Sequence, residues 1–193
     1  RALIDALGED VPVRAWTGAP VDGIAPLPLA DEESLDAGRA ELRALHTPGH
    51  ASDHVCFYLD GAATLFSGDC ILGEGTAVIA PPDGDMGDYL ASLERLRDLH
   101  LERIFPGHFR ALSGGRAVVE GYIEHRRERE RRIVAALEDG AITLPEVVAR
   151  AYDDTPAELH PAAALSALAH LQLLEREGRA ASRDDRWWLT GVE

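Results

Sequence analysis

Three times in this chain a short apolar run ends in glycine and then in a side chain able to hold a metal: ELRALHTPGH closes on His50, TLFSGD on Asp69 and RIFPGH on His108. Runs of this kind read as short strands, and a strand that empties into a glycine loop presents its next polar side chain at the rim of a sheet. The pattern therefore asks for a sheet whose strand ends gather on one side. Imidazole and carboxylate suit zinc, manganese or iron, and a carboxylate can bridge two cations. A single Gly-His loop is more often structural; the series of three is what points to metal chemistry.

The rest of the chain fits an α/β arrangement. Further strand-like runs are VPVRAW from Val11, VCFYL from Val55 and AVIA from Ala77, and DGAA from Asp60 reads as a hairpin connection with Asp60 and Gly61 supplying the turn. Apolar residues at three- and four-residue spacing predict a helix from Asp88 to about Leu99 and a longer one from about Gly115 to Leu137, stopped by Gly140. Thr143 with Glu146 has capping-box spacing and opens a helix through Tyr152; another begins near Pro161 and ends before Gly178. RAASR, a turn at Asp184 and Asp185, and RWWLT then make a two-stranded wing, so the last third reads as a winged helix-turn-helix. Charge is divided in the same place: residues 1–125 carry 9 Arg and 21 Asp or Glu, whereas residues 126–193 carry 10 Arg and 13. The expected domains are 1–125 and 126–193.

Composition excludes several classes. With 193 residues and 46% hydrophobic, the chain can bury a core, and disorder is not expected. The apolar run AAALSALAHLQLL from Ala162 is interrupted by Ser166, His170 and Gln172 and falls short of the roughly 18 residues of a membrane-spanning helix, so no span is expected. All 19 bases are arginine against 34 acids, and the net charge of −15 counts against tight, sequence-independent binding to nucleic acid. Cys56 and Cys70 cannot build a disulfide framework and no secretory leader opens the sequence, which predicts a reducing, cytoplasmic home. The sequence begins at Arg1 and its only methionine is Met86, so a portion of a longer protein is expected.

The series HTPGHASDH, FSGDC and FPGH, in this order and at these intervals, resembles the third, fourth and fifth metal motifs of the metallo-β-lactamase superfamily. PPDGDMGDYLASLERL (Pro81 to Leu96), YIEHRRERE (Tyr122 to Glu130) and the terminal winged helix resemble the branch related to β-lactamase-like endoribonucleases. The resemblance implies an αββα sandwich, truncated at its N-terminal side, followed by a winged-helix domain. It implies that His50 ligates one metal, His108 the other, and Asp69 bridges both, with two zinc ions or other divalent cations in the complete enzyme activating water for hydrolysis. The implied substrates are single-stranded RNA phosphodiesters or small esters and thioesters. The family's first motif, HxHxDH, has no counterpart here, so four expected ligands are missing and neither cation would have the three protein ligands of a catalytic zinc site. Metal binding by this portion alone is therefore expected to be weak. Tyr122 and His125 fall within the family signature and are candidates to reach the pocket, and His54 is a candidate to hydrogen-bond a ligand. Phe109 stands where the family usually has glycine, and Cys70 follows Asp69 with no metal role.

Other readings are weaker. His50 and His54 lie four apart, as in HExxH proteases, but Ala51 stands where the Glu that would act as base belongs. Asp83, Asp85 and Asp88 lack the EF-hand pattern and are expected to shape a loop and cap the helix near Asp88. The HRRERERR stretch looks like a solvated helix face with Glu and Arg at pairing distance. His46 reads as packed or hydrogen-bonded. The alternative function is a non-catalytic relative whose winged helix is an interaction or nucleic-acid-binding module. Its candidate reading helix offers only Gln172 and Arg176 amid alanine and leucine, so specific DNA binding is not expected. Strand alternation puts one of Trp187 and Trp188 inside and the other outside, where it could stack on a base. Homo-oligomer formation is left open.

Overall fold

The computed structural model describes residues 12–16 and 25–191. A short parallel pair, β1 (Arg14–Ala15) and β2 (Leu27–Pro28), precedes the main sheet. That sheet contains β3 (Ser34–Asp36), β4 (Glu41–His46), β5 (Val55–Leu59), β6 (Thr64–Gly68), β7 (Arg103–Pro106) and β8 (Leu112–Ser113), side by side in sequence order. β4 is antiparallel to β5 and β5 to β6, while β6 and β7 are parallel. β4, β6 and β7 therefore all run the same way and release their C-terminal ends at one edge. The three metal-binding candidates follow those three ends.

Helix α1 (Met86–Arg97) connects β6 to β7, and α2 (Gly115–Glu138) leaves β8. Both cover one face of the sheet, where Cys56, Tyr58, Leu65 and Ile104 pack against Tyr89, Leu93, Val119 and Ile123 in a buried core. On the opposite face Phe57, Phe66 and Phe105 stand at neighbouring register positions, and Phe66 stacks on Phe105 with ring centres 5.6 Å apart. Phe66 and Phe105 are exposed, so among the described residues this face is open over β6 and β7, whereas Ala44 on β4 is buried and Trp16 stacks on His46.

α3 (Leu144–Ala151), α4 (His160–Arg176), β9 (Ala180–Arg183) and β10 (Arg186–Leu189) complete a winged helix. α2 does not break between the two parts. Val119, Tyr122 and Ile123 belong to the core under the sheet, whereas Ile133, Ala136 and Leu137 join Val147, Leu171, Leu174 and Trp187 in a second core. Trp187 is buried and Trp188 exposed, and the wing turns on Asp184 and Asp185 at φ 52° and 59°, the left-handed pair of a tight hairpin. No helix among the described residues is long and apolar enough to cross a membrane.

Several expectations need correction. Ala77 to Ala80 form no strand: side chains take the place of a ladder neighbour, His50 and Arg126 donating to the carbonyls of Val78 and Ala77 and Ser166 Oγ accepting from Ile79 N–H. Of VPVRAW, only Arg14 and Ala15 are strand, and Val11 lies outside the described residues. The β5–β6 connection is a 3-10 turn over Asp60–Ala62 whose left-handed residue is Ala63, at φ 47°, rather than Gly61. α1 starts two residues before Asp88 because Asp85 caps it, accepting from Gly87 N–H and Asp88 N–H.

Candidate metal centre

Each candidate ligand is delivered by a strand end that glycine allows to turn. After β4 the chain passes Gly49, at φ +130°, so close to α1 that a Cβ would lie 2.3 Å from the Cα of Tyr89. The Gly49 carbonyl accepts from Asp85 N–H at 2.8 Å, and Ser92 Oγ donates to the Pro48 carbonyl at 2.8 Å, which fastens this loop to the helix. His50 follows, and its Nδ1–H donates to the Val78 carbonyl at 2.8 Å. That bond fixes the tautomer and leaves the Nε2 lone pair free to bind a cation.

After β6, Gly68 turns the chain at φ +50° and its carbonyl accepts from Gly107 N–H at 2.8 Å, so the ends of β6 and β7 are tied together. Asp69 then stands between the two imidazoles. Its Oδ2 is 3.9 Å from His50 Nε2, and its Oδ1 is 3.4 Å from His108 Nε2. Oδ1 is buried and makes no hydrogen bond. A buried carboxylate oxygen without a donor is unfavourable unless something else neutralises it, and a cation held between carboxylate and imidazole would do so. Among the described residues no three His, Cys, Asp or Glu side chains form a closed metal site. The residues present would thus supply only an incomplete ligand set, two imidazoles and the Asp69 carboxylate between them.

His54 engages the backbone of the candidate ligand Asp69. Its Nε2 accepts from Asp69 N–H at 3.1 Å, so Nδ1 carries the proton and donates to Thr47 Oγ1 at 2.9 Å, and Thr47 in turn donates to Cys56 Sγ at 3.2 Å. Burial opposes the charged form of His54, but Cys56 and Asp69 beside it raise its pKa overall. Cys56 and Cys70 are both buried and free. His108 is the most open of the three candidate ligands, with 67% of its side chain exposed, and Phe109 beyond it is exposed in the left-handed region at φ 69°. His46 stacks on Trp16 at 3.7 Å and donates from Nε2 to the Ser52 carbonyl.

Further support for the centre comes from an irregular loop, residues 72–79. Val78 holds His50, and Gly73 N–H donates to the His108 carbonyl at 3.2 Å. α2 holds the loop in turn. The Tyr122 hydroxyl accepts from Leu72 N–H at 2.9 Å and lies 2.9 and 2.8 Å from the carbonyls of Leu72 and Gly75, and Arg126 Nη2 donates to the Ala77 carbonyl. Ser166 on α4 accepts from Ile79 N–H at 3.2 Å. His125 lines a cavity beside this loop, away from the three ligands. Asp85 pairs both of its oxygens with Arg176, so that cation of α4 is engaged within the molecule. Thr47, Val78 and Ser166 carried no sequence signal: Thr47 acts through a hydroxyl on partners 7 and 9 residues on, Ser166 through a contact 87 residues away and Val78 through a backbone atom.

The profile described as Metallo-beta-lactamase superfamily matches residues 5–108, and the one described as Beta-lactamase associated winged helix domain matches residues 143–187. Beta-lactamase-like protein 2 homolog of Drosophila melanogaster is 39% identical over 168 residues, covering 84% of this chain and 56% of that protein. Atrochrysone carboxyl ACP thioesterase of Aspergillus chevalieri is 33% identical over 139 residues, covering 68% of this chain and 44% of that one. The crystal structure of a metallo-beta-lactamase family protein from Thermus thermophilus aligns with a TM-score of 0.74 at 31% identity, over 85% of this chain and 54% of that one. The chain spans about half the length of the curated relatives it matches.

Proposed function

Because the chain belongs to the metallo-β-lactamase superfamily and carries the winged helix associated with it, we propose that it supplies the His50, Asp69 and His108 portion of a dinuclear hydrolase centre acting on a thioester or small ester. The observation that carries this reading is the Asp69 carboxylate, set between two imidazoles with one oxygen toward each and Oδ1 otherwise unpartnered. Zinc, or another divalent cation, would polarise the scissile carbonyl and make water acidic enough to attack at neutral pH. The chain's own residues do the positioning. Val78 aims His50, the β6–β7 tie sets Asp69 beside His108, and the Thr47–His54 pair holds the backbone of Asp69. The exposed edge of His108 leaves the substrate's approach open.

A thioester is preferred to RNA on two grounds. A relative is named as a thioesterase, and a net charge of −15 disfavours a long polyanion. Elemental analysis of the full-length protein, purified without chelator, should find divalent metal that Asp69→Ala loses. The same protein should hydrolyse a short acyl thioester in a chelator-sensitive way and leave a short single-stranded RNA intact. Cleavage of the RNA alone would move the reading to phosphodiesters, and no metal-dependent turnover of either would sink it. Salt-sensitive partner binding through the winged helix, indifferent to Asp69→Ala, would favour the non-catalytic alternative.

A further inference from the structure

A cavity of about 300 Å³ lies where α2 meets the end of α3, the start of α4 and residues 75–78. Ala77, Val78 and Ala163 give it an apolar wall; His125, Arg126 and Tyr152 give it a polar one. Arg126 is 2% exposed, and among the described residues it has no carboxylate partner. Its guanidinium lies over the Tyr89 ring at 5.1 Å and donates from Nη2 to the Ala77 carbonyl, while Nε–H has no acceptor. The Tyr152 hydroxyl and His125 Nδ1 on the same wall are likewise without partners. The neighbouring Arg129 is not in this position: it donates to Asp154 and to the Ala151 carbonyl, each at 2.8 Å. A buried cation is ordinarily paired, and an unpaired one beside a cavity marks a place where an anion belongs. The histidines agree, since burial and then the charge of Arg126 hold both His125 and His170 below the usual range.

We propose that this cavity binds a small oxyanion with an apolar tail, a carboxylate or a phosphate ester whose charge pairs with Arg126. The Tyr152 hydroxyl and His125 supply further hydrogen bonds, and the tail lies against Ala77, Val78 and Ala163. Arg is the favoured partner of carboxylate and phosphate oxyanions, and a site inside so acidic a chain is not the product of general electrostatic attraction. The inference does not rest on the hydrolase reading and is tested on metal-free protein.

Thermal unfolding is followed at fixed ionic strength with butyrate, inorganic phosphate or chloride. A saturable rise in Tm with butyrate, phosphate or both, beyond that with chloride, is expected; the arm that responds identifies the anion. Arg126→Met removes a buried residue and endangers the fold, so Ala163→Leu, which fills the cavity and keeps Arg126, is the deciding variant and should abolish the rise. Tyr152→Phe should weaken the anion about fivefold. No rise beyond chloride, or a full rise retained in Ala163→Leu, overturns the proposal.

Discussion

The Tyr122 hydroxyl touches neither histidine nor carboxylate of the centre, yet three of the loop's backbone groups converge on it. Tyr122→Phe keeps the ring in the core and leaves those groups unpartnered, at a cost of about 1–3 kcal/mol. If the loop aims His50 and His108 as described, metal affinity should fall by about 10- to 100-fold as well. Denaturant melts and metal titration separate the two effects; a stability loss with unchanged metal affinity would confine Tyr122 to packing. Gly49 is a stricter case. Gly49→Ala would combine a φ of +130° with a 2.3 Å approach to the Tyr89 backbone, so the variant should fail to reach the native fold, and a wild-type Tm would contradict the geometry. The gathering of His50, Asp69 and His108 at one edge was legible in the sequence because each follows a strand and a glycine. Tyr122 was legible only as a candidate, since its partners lie 47 and 50 residues away, and the Val78 carbonyl was hidden because every residue has one.

At the scale of elements, helices were easier to foresee than strands. α3 opens on a capping box in which Glu146 accepts from Thr143 N–H at 2.9 Å, a purely local device, and Thr143→Ala should cost about 1 kcal/mol in urea denaturation. An unchanged midpoint would mean that the wing, whose Trp187 N–H donates to the Ile142 carbonyl at 2.8 Å, holds this end without the cap. AVIA has strand composition but no strand beside it to pair with, which no local rule reveals. The HRRERERR stretch is half what it suggested. Arg131 pairs with Glu128 on its own helix, whereas Arg129 and Arg132 reach Asp153 and Asp154 beyond α3 and clamp the winged helix to α2. The bond from Arg129 and that from Arg132 pull the Asp154 carboxyl down to about 2. Its contribution is present above the unfolded carboxylate range near pH 4 and is lost as the pH falls toward 2.

The whole molecule should lose stability earlier than that in acid. His170 is fully buried with both ring nitrogens unpartnered, and burial, then Arg126, pushes its pKa down to about 3. The unfolded chain takes up a proton near pH 6.5 that the folded chain refuses, so stability is intact above about 6.5 and declines as the pH falls toward 3. Urea midpoints between pH 7.5 and 4.5 should follow that slope, and His170→Leu should flatten it; a flat wild-type profile would show that the buried imidazole has found a partner. One helix also belongs to both cores, so tryptophan fluorescence and far-ultraviolet circular dichroism should report a single unfolding transition, and two separated midpoints would contradict the shared helix. Its 24 residues make a rod about 36 Å long at about 1.5 Å per residue. A rod gripped at both ends transmits torque. Tyr122 and Arg126 sit midway along it and bond residues 72–77, next to the Val78 carbonyl that holds His50, so a twist of the C-terminal part would be expected to reach that histidine.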